Sequence, residues 1–171
     1  MIISLCGFMG AGKSTIGKHI ARITGYSFID LDSYIEKKRG MSIPELFVKE
    51  GEEAFRQEEY NSLKEILSNP SNNLILSLGG GTVTRENCAK LIKEQTKCIY
   101  LYCTKEELAK RVSKNPGQRP LLQGKTKQEL TDHIHNMMLQ REPVYKSCAH
   151  AVVDTSNSNL PKIIEQLLNI I

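Results

Sequence analysis

Several absences narrow the reading of this 171-residue chain before any motif does. Its five cysteines, Cys6, Cys88, Cys98, Cys103 and Cys148, are odd in number and show no Cys-x-x-Cys spacing. That argues against a disulfide scaffold and predicts reduced thiols in a cytoplasmic protein. The four histidines, His19, His133, His135 and His150, include no i,i+4 pair, so a structural zinc site is not expected. No apolar run approaches the ~20 residues of a membrane span, and a strand-like run begins almost at once. Neither a membrane nor a targeting segment is expected. The net charge of +4 is mild and forms no basic stripe, which removes nucleic acid as an expected partner. There is no internal repeat and no low-complexity tract. What remains is 40% hydrophobic and 25% charged, the composition of one compact soluble domain over 1–171, with a monomer as the expected state.

Short apolar runs alternate with amphipathic segments, a pattern that predicts a parallel sheet wrapped by helices. The expected strands are 2–6, 27–29, 74–78, 98–102 and 151–154. Helices are expected over 13–24, 32–39, 42–49, 51–68, 84–94, 105–113, 126–141 and 159–171. Ser42 is a natural N-cap, and Pro44 falls in the first turn, where its missing N–H does no harm. The segment 114–124 carries two prolines and two glycines. A loop of that length in a compact domain is usually functional, and a mobile lid over a nucleotide, about 113–125, is the expected role.

The sharpest local signal is Gly7-Phe8-Met9-Gly10-Ala11-Gly12-Lys13-Ser14-Thr15, directly after the first apolar run. It fits the phosphate-binding loop G-x-x-x-x-G-K-[ST]. Its glycines let backbone N–H groups of Gly10, Ala11, Gly12, Lys13, Ser14 and Thr15 turn inward on phosphate oxygens, at the positive end of the following helix. Lys13 reaches the β- and γ-phosphates, and the Ser14 hydroxyl is a ligand for Mg²⁺.

Other features are weaker taken singly. Asp30 and Asp32 stand at the end of the second strand, where side-chain alternation sends both carboxylates the same way. Beside a magnesium nucleotide one such acid holds metal waters and the other orients or deprotonates an acceptor hydroxyl. A helix cap with an acidic neighbour is the competing explanation. Gly79, Gly80 and Gly81 close the third strand, as a close backbone approach to a ligand or as a plain turn. No Walker-B acid ends that strand, which leaves metal binding to Ser14 and the Asp30/Asp32 pair. Arg56 and Glu59 are three apart on one helix, so Glu59 can brace the guanidinium as a fork for a carboxylate, or simply form a surface ion pair. Arg119, in the loop, and Arg141 add two anion contacts.

Taken together, these residues resemble the shikimate kinase family over nearly the whole chain. The resemblance rests on GFMGAGKSTIG at 7–17, Asp30 and Asp32, Leu46-Phe47 followed by Gly51-Glu52, Phe55-Arg56 with Glu59, Gly79 to Gly81, Arg119-Pro120-Leu121-Leu122, and Arg141 with Pro143 and Tyr145. It implies a three-layer α/β P-loop kinase fold: a five-stranded parallel sheet in order 2-3-1-4-5, flanked by helices, with acceptor-binding helices over about 32–62. The implied reaction is ATP plus shikimate giving ADP plus 3-phosphoshikimate, with Mg²⁺ as cofactor. Under that resemblance Lys13, Asp32 and Arg119 are catalytic. Asp32, Arg56, Gly79, Gly80, Gly81 and Arg141 hold shikimate, Phe47 and Phe55 wall its ring, and Glu59 fixes Arg56. Ser14 and Asp30 serve the metal, Arg111 lies against adenine, and Arg119 contacts phosphate. After Tyr145 the family commonly has an acid two residues on. Here Lys146-Ser147 follows, so the ion pair made by that acid is not carried over. Two rivals stand beside this one: a kinase of the same class for gluconate or a nucleoside monophosphate, and a kinase-like binding module without turnover.

Overall fold

The computed structural model describes residues 1–68, 73–114, 126–157 and 159–171. Five strands form one sheet in the order β2-β3-β1-β4-β5: β1 Ile2–Cys6, β2 Ser27–Asp30, β3 Leu74–Ser77, β4 Lys97–Tyr102 and β5 Ala151–Asp154. Every pairing is parallel, with Ile3 opposite Ile75 on one side of β1 and Leu5 opposite Ile99 on the other. β1 and β3 are buried along their whole length. A parallel strand covered on both faces must be almost continuously apolar, as Ile2-Ile3-Ser4-Leu5-Cys6 is. Its one polar side chain, Ser4, is fully buried and shares a 2.6 Å hydrogen bond with Thr96.

Among the described residues seven α-helices flank the sheet: α1 Lys13–Thr24, α2 Leu31–Arg39, α3 Ile43–Ser68, α4 Glu86–Gln95, α5 Lys105–Ser113, α6 Lys127–Cys148 and α7 Leu160–Ile170. α1 follows the expected bounds and turns Ile16, Gly17, Ile20 and Ala21 to the sheet. α3 reads as one helix but breaks at Gly51, whose φ of 86° lies in the left-handed region. The two expected helices of this stretch are therefore separate in direction. Ser42 caps the first reciprocally with Glu45, its N–H and hydroxyl each 2.8 Å from the carboxylate.

Two expectations are corrected. Helix α6 was expected to end at 141, yet it runs on through Pro143 to Cys148. Proline inside a helix leaves the carbonyl four residues back without its donor. Here that residue, Leu139, and Pro143 itself are exposed, so water reaches the carbonyl, while buried Tyr145 and Cys148 hold the last turn against the core. The second correction concerns Asp30 and Asp32. Only Asp30 belongs to the strand, and Asp32 sits in the first turn of α2.

The strand order places the switch in chain direction at β1 and β3. In an open α/β sheet the crevice for ligands lies beyond the carboxyl ends of strands at such a point. The loops leaving β1, β2 and β3 there carry the glycine-rich segment, Asp30 and the triglycine.

Candidate active site

The loop after β1 is held in shape from both sides. Gly10 and Gly12 take φ values of 86° and 93°, which other residues adopt only at a cost. Lys13 is 8% exposed, and its ammonium lies against the loop and donates to the carbonyls of Gly7 (2.9 Å) and Phe8 (3.1 Å). From below, Thr155 donates to Ala11 O at 3.1 Å. Arg111 clasps the same loop, with Nη1 to Gly10 O at 3.3 Å and Nη2 to Thr155 O at 2.7 Å, and Glu107 accepts from its Nε at 2.9 Å.

Ser14 opens α1 and points at β2. Its hydroxyl donates to Asp30 Oδ2 at 2.5 Å and lies 3.3 Å from the hydroxyl of Ser77, the last residue of β3. Asp30 Oδ1 also accepts from Ser33 N at 3.2 Å, capping α2. Asp30 therefore does cap the helix, and its second oxygen meets Ser14 because β2 ends there. These hard oxygen donors, few in number, suit Mg²⁺, which keeps several waters and takes one or two protein ligands beside phosphate oxygens. Among the described residues no larger cluster of His, Cys, Asp and Glu forms a metal site.

Asp32 faces the triglycine. Burial pushes its carboxyl up from 3.8 to about 6, with Asp30, Glu59 and Glu36 adding to the rise and Lys13 opposing it. The glycines are required by what lies against them. A Cβ on Gly79 would come within 2.8 Å of Asp32 Oδ1, 3.0 Å of Thr82 Oγ1 and 3.1 Å of Glu59 Oε1. One on Gly81 would lie 2.9 Å from both terminal nitrogens of Arg56. Gly79→Ala is accordingly expected to displace three polar groups, two of them buried and mutually bonded, and to destabilise the protein by about 1–3 kcal/mol. A thermal melt beside steady-state kinetics checks this, with the KM for the acceptor rising more than that for nucleotide.

Arg56 reaches this place from α3. Its Nη1 donates to Glu59 Oε2 at 2.8 Å, while Nη2 lies 3.5 Å from exposed Glu52. The guanidinium stands 5.1 Å from the Phe55 ring centre, and Phe55 packs on Phe47 at 5.0 Å. Arg141 approaches from α6, its Nη1 3.4 Å from Gly80 O and its guanidinium 5.9 Å from the Phe8 ring. Tyr145 donates to the same carbonyl at 2.5 Å, and burial raises its hydroxyl to about 12, so it stays protonated.

The structure thus brings together Lys13, Ser14, Asp30, Asp32, Arg56, the triglycine and Arg141. Arg119 and most of the expected lid, residues 115–125, lie outside the described residues. Ser147 stands at the position that departs from the family pattern, and its neighbour Lys146 pairs with Glu142 at 2.7 Å. Sequence reasoning missed Ser77, Thr82 and Thr155. A buried hydroxyl carries no sequence signature of its own, although Thr82 directly after three glycines was a place to look.

Comparison with known proteins agrees with this geometry. A family model described as shikimate kinase matches residues 9–171. A shikimate kinase of Thermus thermophilus is 38% identical over 166 residues, covering 97% of this chain and 87% of its relative. Among solved structures, shikimate kinase from Acinetobacter baumannii in complex with shikimate superposes with a TM-score of 0.90 at 34% identity, covering 99% of this chain and 91% of that one. The Bacteroides thetaiotaomicron shikimate kinase gives 0.91 at 33% identity, with coverage of 99% and 97%. By the length and level of these matches, and by the phosphate loop, paired aspartates and arginine-lined triglycine that share one crevice, the chain belongs to the shikimate kinase family.

Proposed function

We propose that this protein transfers the γ-phosphoryl group of ATP to the 3-hydroxyl of shikimate, giving ADP and 3-phosphoshikimate, a step toward chorismate and the aromatic amino acids. One observation carries the reading: Asp32, Arg56 and Arg141, drawn from three different helices, all contact or border Gly79 to Gly81, next to the loop that holds Lys13. The crevice so formed offers a hydroxyl acceptor and guanidinium groups for a carboxylate at the edge of a phosphate site.

Phosphoryl transfer passes through a loose transition state, so the protein's share is positioning and charge. Lys13 places its ammonium against the phosphates. Asp32 orients the attacking hydroxyl and takes its proton as the bond to phosphorus forms. Arg56, held by Glu59, and Arg141 bind the acid group of the acceptor. Gly10 to Thr15 cradle the nucleotide, and Arg111 lines its base. Ser14 and Asp30 would hold Mg²⁺, which when bound neutralises charge on the transferring phosphate. The five buried, unpaired cysteines fit a reducing compartment, the cytoplasm. Among the described residues no helix is long and apolar enough to cross a membrane.

The test is ADP formation with shikimate, quinate, gluconate and nucleoside monophosphates side by side, with and without Mg²⁺. Shikimate is expected to be preferred strongly, and only with the metal. Preference for another acceptor overturns the substrate. Arg56→Ala is expected to raise the KM for shikimate by about 10- to 100-fold, since a carboxylate loses its charge-assisted partner. The KM for ATP should stay near its original value; a rise there instead would contradict the separation of the two subsites.

A further inference from the structure

Glu59 is 1% exposed, and a carboxylate so deeply placed needs a donor on each oxygen. Oε2 has the Arg56 guanidinium. Oε1 accepts from the Thr82 hydroxyl at 2.6 Å, and Thr82 is itself fully buried, fixed as the first residue of the short 3-10 turn that follows the triglycine. Its N–H donates to Gly79 O at 3.2 Å, which ties the hydroxyl's position to the crevice floor.

We propose that Thr82 is a positioning residue for acceptor binding: by occupying Glu59 Oε1, it limits Glu59 to one nitrogen of Arg56 and leaves the other edge of the guanidinium for the acceptor's carboxylate. Among the described residues that other nitrogen, Nη2, has one ion-pair contact, to Glu52 at 3.5 Å on a side chain 63% exposed, a loose contact that an incoming carboxylate displaces. Without the hydroxyl, Oε1 has an unmet hydrogen bond in a dry site and turns to the nearest strong donor. That donor is Arg56, and a bidentate pair with Glu59 competes directly with substrate. The inference rests on the acceptor reading above.

Thr82→Val keeps the shape and removes the hydroxyl. It is expected to raise the KM for shikimate about tenfold, the worth of one hydrogen bond to a charged group. The kcat and the KM for ATP should change by less than about twofold, and Thr82→Ser should restore the original KM. A merely structural threonine would lower melting temperature and yield without this split. A thermodynamic cycle completes the test: in an Arg56→Ala background the added Thr82→Val change should leave KM unaltered, because the route from Thr82 to substrate runs through Arg56. An unchanged KM in the single variant, or the same tenfold rise in the Arg56→Ala background, overturns the proposal. If Thr82→Val does not fold, Thr82→Ala is read in the same cycle. Should the unsubstituted protein ignore shikimate but use another carboxylated acceptor, the substrate reading fails, and the same cycle run on that acceptor decides the role of Thr82. A preference for uncharged acceptors overturns both.

Discussion

Asp32→Asn is expected to lower kcat by on the order of 10²–10⁴-fold while making the protein more heat-stable at neutral pH. Both effects come from one carboxyl. In the folded protein it is pushed up from 3.8 to about 6, chiefly by burial. Because its pKa is raised on folding, the native state favours the neutral acid. The associated stability is present below about pH 4, is lost as pH rises between about 4 and 6, and is absent above. At pH 7.5 the ionised side chain costs on the order of 2 kcal/mol, which asparagine removes. A melting temperature about 5 °C higher at pH 7.5, with no gain at pH 4, is the expected pattern for a chain of this size. For the unsubstituted enzyme, kcat/KM for the acceptor should fall about tenfold per pH unit on the acid side of pH 6, since only the ionised form takes a proton. A flat profile between pH 5 and 8 would remove Asp32 from proton transfer.

Lys13→Ala is expected to lower kcat by on the order of 10²–10³-fold, the loss seen when one preorganised charge contact to a transition state is deleted. The ammonium already lies within the loop, on the carbonyls of Gly7 and Phe8, so the charge is in place before nucleotide arrives. A second readout separates charge from loop shape. Lys13 is the cation that opposes the rise of the Asp32 carboxyl, so its removal should move the acid limb of the rate profile above pH 6. If turnover falls and the limb stays where it was, the loss reflects a collapsed loop rather than a missing charge. Unchanged turnover contradicts the assigned role altogether.

The parts of this molecule that were legible in sequence are those whose signal is local. The phosphate loop is nine consecutive residues, and the bounds of α1 and α5 follow from apolar spacing inside each helix. Strand alternation with helices announced a parallel sheet, although the order of its strands came from family resemblance, because periodicity says nothing about which strand lies beside which. The expected end of α6 at 141 fell short because burial of Tyr145 and Cys148 holds its last turn, which local spacing does not reveal. Asp30 and Asp32 converge, but through a strand-to-helix turn rather than alternation, so the expectation reached a correct neighbourhood by the wrong geometry. Thr82 and Thr155 act across 23 and 144 residues of chain, and no spacing rule spans such distances.

The two donors on Gly80 O have an effect on its neighbour. A trans peptide is planar, with its carbonyl and the next N–H pointing in opposite directions. With the oxygen of residue 80 anchored to Tyr145 and Arg141 of α6, the amide hydrogen of Gly81 is turned away from those two donors. This donor is built into the main chain and aimed in advance. Swapping side chains one at a time would pass over it, and its presence would be felt only by a change that loosens the anchor or by a proline at 81.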